Sequence, residues 1–159
     1  MALIAKKGNI LLSKGYGYRD VEQKLPHVAN TIFPIGSLTE QLTTEMILSL
    51  DSKAALTLED KVYKYFPEIP NSERITIKNL LTHTSGLPDY ATDSVFLRPY
   101  NKKKPGRKEI IEMLLTKPLA FYPGSKYSYS ATNYFLAGLI VEKVGRWGYT
   151  DLVQDKICV

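Results

Sequence analysis

Cysteine is nearly absent from this chain: Cys158 is the only one in 159 residues, so no internal disulfide can form. That scarcity fits a reducing compartment. Histidine is almost as rare, with His27 and His83 alone. One cysteine and two histidines fall short of the ligand set of a structural zinc site, so no metal is expected. Long apolar runs are missing too, and nothing approaches the roughly 20 residues that span a bilayer. No membrane partner is predicted. At the start, Ala2-Leu3-Ile4-Ala5 runs straight into Lys6-Lys7. A secretory signal has its charge first and a longer apolar stretch after it. The expectation is therefore no signal peptide and a cytoplasmic location. Internal repeats and low-complexity tracts are also lacking.

What is present is ordinary for a globular chain. The apolar fraction is 44% and the charged fraction 23%, and the length predicts one domain with a core covering about two-thirds of its unfolded surface. The net charge of +5 raises the question of nucleic acid. The densest basic run, Lys102-Lys103-Lys104 with Arg107 and Lys108, lies beside Pro105-Gly106 and has no interleaved aromatics. It reads as a solvated linker, and no nucleic-acid partner is expected.

Ala2 to Lys6 and Asn9 to Lys14 are short β-like runs around the turn signal Lys7-Gly8-Asn9. Two strands alone make a marginal sheet, so further strands are expected to pair with them. The apolar stretch Thr31 to Gly36 leads into a helix signal at Ser37, where Glu40 three positions later completes a capping-box pattern. Leu38, Leu42, Met46, Ile47 and Leu50 approximate a helical stripe through about residue 51. Further helices are predicted over 76–83, closed by Gly86 and Pro88, over 107–116 with Ile110, Ile111, Leu114 and Leu115 on one side, and over 133–145. Thr150 is expected to cap a last helix to about Ile157. Residues 91–106 read as a polar connection. The fold class is α+β: a hairpin, then a mainly helical remainder.

Two stretches carry chemistry. The first is Ile35-Gly36-Ser37-Leu38-Thr39-Glu40; the second is Tyr127-Ser128-Tyr129-Ser130-Ala131-Thr132-Asn133-Tyr134. Together with Ser13 to Gly17, Ile32 to Gly36, Asp60 to Glu68, Ile75 to Leu87 and Phe121 to Ser125, they resemble, in order, the penicillin-recognising serine hydrolases. These are the class C β-lactamases, D-alanyl-D-alanine carboxypeptidases and related esterases. The resemblance runs almost the whole chain and departs at two positions. The family's first motif reads Ser-x-x-Lys, and Glu40 stands where the lysine would be. Its second reads Tyr-x-Asn, and Ala131 stands at the asparagine.

The resemblance implies the family's fold: one β-lactamase-like domain in which 1–36 is the hairpin of the α/β half and 37–159 a mainly helical subdomain. The sheet is expected to be incomplete and the C-terminal half absent, with the third motif, Lys-Thr-Gly or His-x-Gly, beyond the sequence. Whether the chain is a short product or a fragment stays open, as does the substrate. Many members of the family are exported.

The resemblance also implies roles. Ser37 would be the nucleophile that forms an acyl-enzyme on a lactam, peptide or ester carbonyl, helped by the positive end of its helix. Its bland alternative is a simple N-cap. Tyr129 would be the acid/base tyrosine, or otherwise a core aromatic in a chain of 11 tyrosines. Ser130 and Ala131 fall at the substrate-binding motif, but an alanine side chain makes no amide contact, and Asn133 is two residues displaced. Glu40 reverses the charge that favours a tyrosinate at Tyr129, and its alternative role is capping-box partner of Ser37. His83 reads as scaffold, and His27 as a loop residue. The expected function is a weak or inactive serine hydrolase without cofactor, with slow ester hydrolysis as the remaining activity. The alternative is a non-catalytic binding module that completes its sheet with a complementary chain or as a homodimer.

Overall fold

The computed structural model describes residues 1–93 and 106–157. The run Lys102-Lys103-Lys104, most of the expected 91–106 connection and Cys158 lie outside the described residues. The chain divides into two compact units, Met1–Gly36 and Ser37–Val159.

In the first unit, β1 (Ala2–Lys6) pairs antiparallel with β2 (Asn9–Lys14). Lys7 and Gly8 between them both have positive φ, 48° and 79°. That is the two-residue turn whose twist matches flanking strands, with glycine at one of the two costly positions. The register slips between Ile4 and Ala5, where Leu12 and Ile10 face successive partners; Leu11 is the extra residue of a bulge. A second ladder joins β3 (Tyr18–Asp20) to β4 (Leu25–Pro26). Its turn is tied by the Asp20 carboxylate, which accepts the Gln23 N–H at 2.8 Å. Gly15 has a different reason: a Cβ there would sit 2.1 Å from the His27 carbonyl oxygen. Among the described residues the two ladders do not join, so the expected further strands beside β1 and β2 are not found. Leu3, Ile4, Ile10 and Leu11 remain exposed.

The second unit is helical. Among the described residues its five α-helices are α1 (Thr39–Ser52), α2 (Ile77–Leu81), α3 (Arg107–Thr116), α4 (Ala131–Gly145) and α5 (Tyr149–Lys156). The core is built around α4, whose Leu136, Ala137, Ile140 and Val141 are buried with Met46 and Ile47 of α1 and Ile77 and Leu80 of α2. Each fully buried aliphatic side chain contributes about 1.5–3 kcal/mol relative to exposure. On α3 the buried set is Ile110, Met113 and Leu114, while Leu115 is exposed, so the sequence placed the face one residue off.

Helix ends account for most departures from the sequence reading. No capping box forms at Ser37 and Glu40: a 3₁₀ turn over Gly36–Leu38 runs into α1, whose N-terminus has no side-chain cap. The box forms at α2 instead. There Thr76 Oγ1 accepts the Asn79 N–H at 3.1 Å and Asn79 Oδ1 accepts the Thr76 N–H at 3.0 Å. The α2 helix stops at Leu81 rather than at 83, because His83 takes a left-handed conformation, φ 53°. Histidine is among the few non-glycine residues enriched there. The α4 helix starts two residues earlier than expected because a remote carboxylate caps it: Asp89 Oδ1 accepts the Ala131 N–H at 3.0 Å. At α5 the residue before the first turn is Gly148, not Thr150, and it offers no side-chain cap.

Candidate active site

The 3₁₀ turn before α1 presents the exposed Ser37, and the first turn of α1 presents Glu40. Facing them is the extended segment that leads into α4. It is held by Ser128, whose N–H donates to the His83 carbonyl at 2.9 Å. Two anchors at the α4 entrance fix its end: Thr132 Oγ1 donates to the Pro88 carbonyl at 2.6 Å and accepts the Tyr90 N–H at 3.1 Å. This clamp delivers Tyr129 to the start of α1 across a long sequence separation. The Tyr129 and Ser37 hydroxyls are 3.1 Å apart. Tyr129 donates to Glu40 Oε1 at 2.6 Å.

Three of the sequence candidates therefore converge, and the other two do not join them. Ser130 is buried, and its hydroxyl donates to the Pro88 carbonyl at 3.3 Å. Ala131 opens α4 with only a methyl group, and its contribution is the N–H given to Asp89. Asn133 is fully buried and faces His83 rather than the open side.

The charge at the fourth motif position controls Tyr129. Its hydroxyl is held above the usual tyrosine range, chiefly because it donates to Glu40; the Ser37 contact works the other way. Partial burial and the negative charges of Glu40 and Asp89 add to the rise. An acceptor anion favours the protonated phenol, so Tyr129 stands as a hydrogen-bond donor.

The residue that the sequence reading left as scaffold is His83. Its ring lies beside Tyr129 at 4.5 Å between centroids and Tyr134 at 5.3 Å, and its Nε2 is 3.5 Å from Glu40 Oε2. No local pattern marks this, because Glu40, His83 and Asn133 come from three separate elements. Among the described residues no three of His, Cys, Asp and Glu come together in a group that could hold a metal ion. Among them also, no helix is long and apolar enough to cross a membrane.

Comparison with known proteins fits this geometry. The family model described as Beta-lactamase matches residues 1–159. Penicillin-binding protein 4* of Bacillus subtilis is 35% identical over 158 residues, 98% of this chain and 34% of that protein. An octameric penicillin-binding protein homologue from Pyrococcus abyssi superposes with a TM-score of 0.82 at 32% identity, covering 98% of this chain and 37% of its own. A class C β-lactamase solved in complex with cefoxitin gives a TM-score of 0.78 at 23% identity, a likeness of fold. The sequence spans about a third of the length of the curated relatives it matches. With the family model matched from end to end, this chain belongs to the β-lactamase family.

Proposed function

We propose that this chain is an attenuated serine acylhydrolase in which Ser37 takes the acyl group of an activated, uncharged ester. One observation carries the reading: the Ser37 hydroxyl lies 3.1 Å from the Tyr129 hydroxyl, at the N-terminal end of α1. A serine there has a phenol within proton-transfer reach and the positive end of a helix behind it. Ser37 Oγ attacks the carbonyl carbon, the alcohol leaves, and water releases the acid from the acyl-serine.

Glu40 sets both the rate and the substrate. With a carboxylate at 2.6 Å, Tyr129 stays protonated and cannot take the serine proton as a phenolate. Loss of a positioned general base costs on the order of 10²–10⁴ in rate. The same carboxylate repels an anionic substrate, so neutral esters react ahead of carboxylate-bearing β-lactams. Ala131 offers no side-chain hydrogen bond to an amide, which also favours esters, whose leaving groups demand least protonation.

Intact-mass measurement after incubation with p-nitrophenyl acetate and with a penicillin tests this. A single acetyl adduct in the parent, absent in Ser37→Ala and slower or missing with the penicillin, is expected. An adduct that persists in Ser37→Ala would overturn the reading.

A further inference from the structure

Glu40 has two carboxylate oxygens, and the chain engages both. Oε1 accepts the Tyr129 hydroxyl at 2.6 Å, while Oε2 lies 3.5 Å from His83 Nε2, within ion-pair distance but longer than an ordinary hydrogen bond. The other ring nitrogen decides where the imidazole hydrogen sits. His83 Nδ1 faces the Ser130 backbone N–H at 3.4 Å and Asn133 Nδ2 at 3.2 Å. A backbone N–H can only donate. The Asn133 amide is oriented by the buried Ser85 hydroxyl, which donates to its Oδ1 at 2.5 Å and leaves Nδ2 toward the ring. Nδ1 is therefore an acceptor, which places the ring hydrogen on Nε2, the nitrogen 3.5 Å from Glu40 Oε2.

The ring is also held in place. Tyr129 and Tyr134 lie against it at 4.5 and 5.3 Å, and Tyr127 meets its edge at 6.0 Å. Tyr134 is itself fixed through its hydroxyl, which donates to the Leu81 carbonyl at 3.1 Å and pairs with Thr44 Oγ1 at 3.0 Å. An imidazole with one tautomer and one ring orientation is a rigid donor. A glutamate side chain alone, with its several rotatable bonds, is not a rigid acceptor.

We infer that His83 is a positioning residue: its Nε2–H holds Glu40 so that the carboxylate receives, through Tyr129, the proton that leaves Ser37. This rests on the reading of Ser37 as nucleophile. As Ser37 Oγ bonds to the ester carbonyl carbon, the carbonyl π pair moves onto oxygen. The Ser37 proton passes to the Tyr129 oxygen, and the Tyr129 proton passes to Glu40 Oε1. When the tetrahedral adduct collapses, the C–O bond to the alcohol breaks and the proton returns along the same path to the departing alkoxide. Water then repeats the sequence and frees Ser37, so ester and water give acid and alcohol. Glu40 is thus a weaker substitute for the lysine, and not only its opponent.

The two roles order the variants differently. If Glu40 only opposed ionisation of Tyr129, removing its charge in Glu40→Gln would speed acylation. The relay requires Glu40→Gln to be slower than the parent, by about a hundredfold. His83→Asn is the companion variant, because asparagine tolerates the left-handed backbone and its Oδ1 replaces Nδ1 as acceptor for the Ser130 N–H, while nothing reaches Glu40. Acylation by p-nitrophenyl acetate should fall about tenfold in His83→Asn through the acylation step and not through KM. It should add no further loss to Glu40→Gln, whereas a merely structural role would slow both backgrounds. A faster Glu40→Gln, or additive losses, overturns the relay.

A second readout does not need turnover. In ¹⁵N spectra of the parent chain, His83 should show the Nε2–H tautomer. In ¹³Cζ-tyrosine spectra, the Tyr129 titration should move toward the ordinary tyrosine range in His83→Asn, as the carboxylate is freed to swing away. The Nδ1–H tautomer, or a Tyr129 titration unmoved by His83→Asn, overturns the positioning role even if Ser37 labels normally. Absence of any Ser37 adduct instead sinks the nucleophile reading, and the spectra report on His83 regardless.

Discussion

Replacing Glu40 by lysine should restore the ionisation that the family motif provides, and the gain can be worked from the site. A unit charge about 4 Å from a phenolate is worth about 1 kcal/mol in bulk water and about 4 kcal/mol at an effective dielectric of 20. Tyr129 is 44% exposed, which places it in the lower half of that interval, at about 1–2 kcal/mol. Exchanging a negative for a positive charge counts twice, so the phenolate is favoured by about 2–4 kcal/mol, or about 30- to 1,000-fold. Only part of this reaches the rate, because a more acidic phenol is a weaker base; about 10- to 100-fold faster acylation of Ser37 is expected. The measurement is the burst of p-nitrophenol from p-nitrophenyl acetate, with the acetyl group located on Ser37 by peptide mapping.

The same substitution should cost stability. Glu40 lies in the first turn of α1, where an anion is favoured by about 0.3–1 kcal/mol and a cation is not. Glu40→Lys should therefore melt about 1–4 °C below the parent while reacting faster. Added salt should shrink the rate gain, since Ser37 and Tyr129 face solvent. A Glu40→Lys chain that labels at Ser37 no faster than the parent would refute the reasoning, because the lost cation would then not be what limits the reaction.

Two further outcomes concern the scaffold that presents the site. Glu142 joins three helices: Oε2 accepts Arg107 Nη1 at 2.6 Å, and Oε1 accepts Arg107 Nη2 at 2.7 Å and the Tyr149 N–H at 2.9 Å. The hydrogen bonds from Arg107 are the main reason its carboxyl is held below the usual range. Its stabilisation is thus complete above the ordinary glutamate range and lost as the pH falls through the depressed value. Glu142→Gln should lose about 1–2 kcal/mol at neutral pH and flatten the decline of melting temperature between pH 5 and 3, seen by circular dichroism; an unchanged decline would count against it. Leu136, with no exposed surface at the centre of α4, should cost about 2–5 kcal/mol on replacement by alanine in urea unfolding.

The hairpin and all five helices were legible because their signals are local. Lys7-Gly8 supplies the turn, and period-3.6 apolar patterning marks α1, α3 and α4. The ends were not legible where a remote group decides them. Asp89 reaches 42 residues along the chain to cap α4, and His83 leaves α2 because its left-handed backbone turns the chain toward Ser128. The capping-box signature of Ser37 to Glu40 does not form a box, whereas Thr76 and Asn79, without the usual Glu or Gln, do. In the first, both side chains have better partners in Tyr129, a phenol that local pattern does not bring near. The separate β3–β4 ladder was missed because strands of three and two residues carry no detectable alternation.

The site shows the same division between local and remote causes. Ser37, Glu40 and Tyr129 stand out in the sequence by motif resemblance and the structure brings them together, but the consequence of Glu40 was not legible, because it depends on what its two oxygens meet. A glutamate in the first turn of a helix needs no further partner to be stable there. It finds two, and each changes what the other can do: the Tyr129 hydroxyl becomes a committed donor, and the imidazole of His83 becomes the brace of a carboxylate. The hydrogen bonds that build the Tyr129 clamp join Thr132 to Pro88 and to Tyr90, and Ser128 to the His83 carbonyl, so none of them uses the carboxylate of Glu40. The framework does not depend on the sign of the charge at position 40, and the chemistry does. That separation is why Glu40→Lys, Glu40→Gln and His83→Asn can be read as changes in proton handling within one fold.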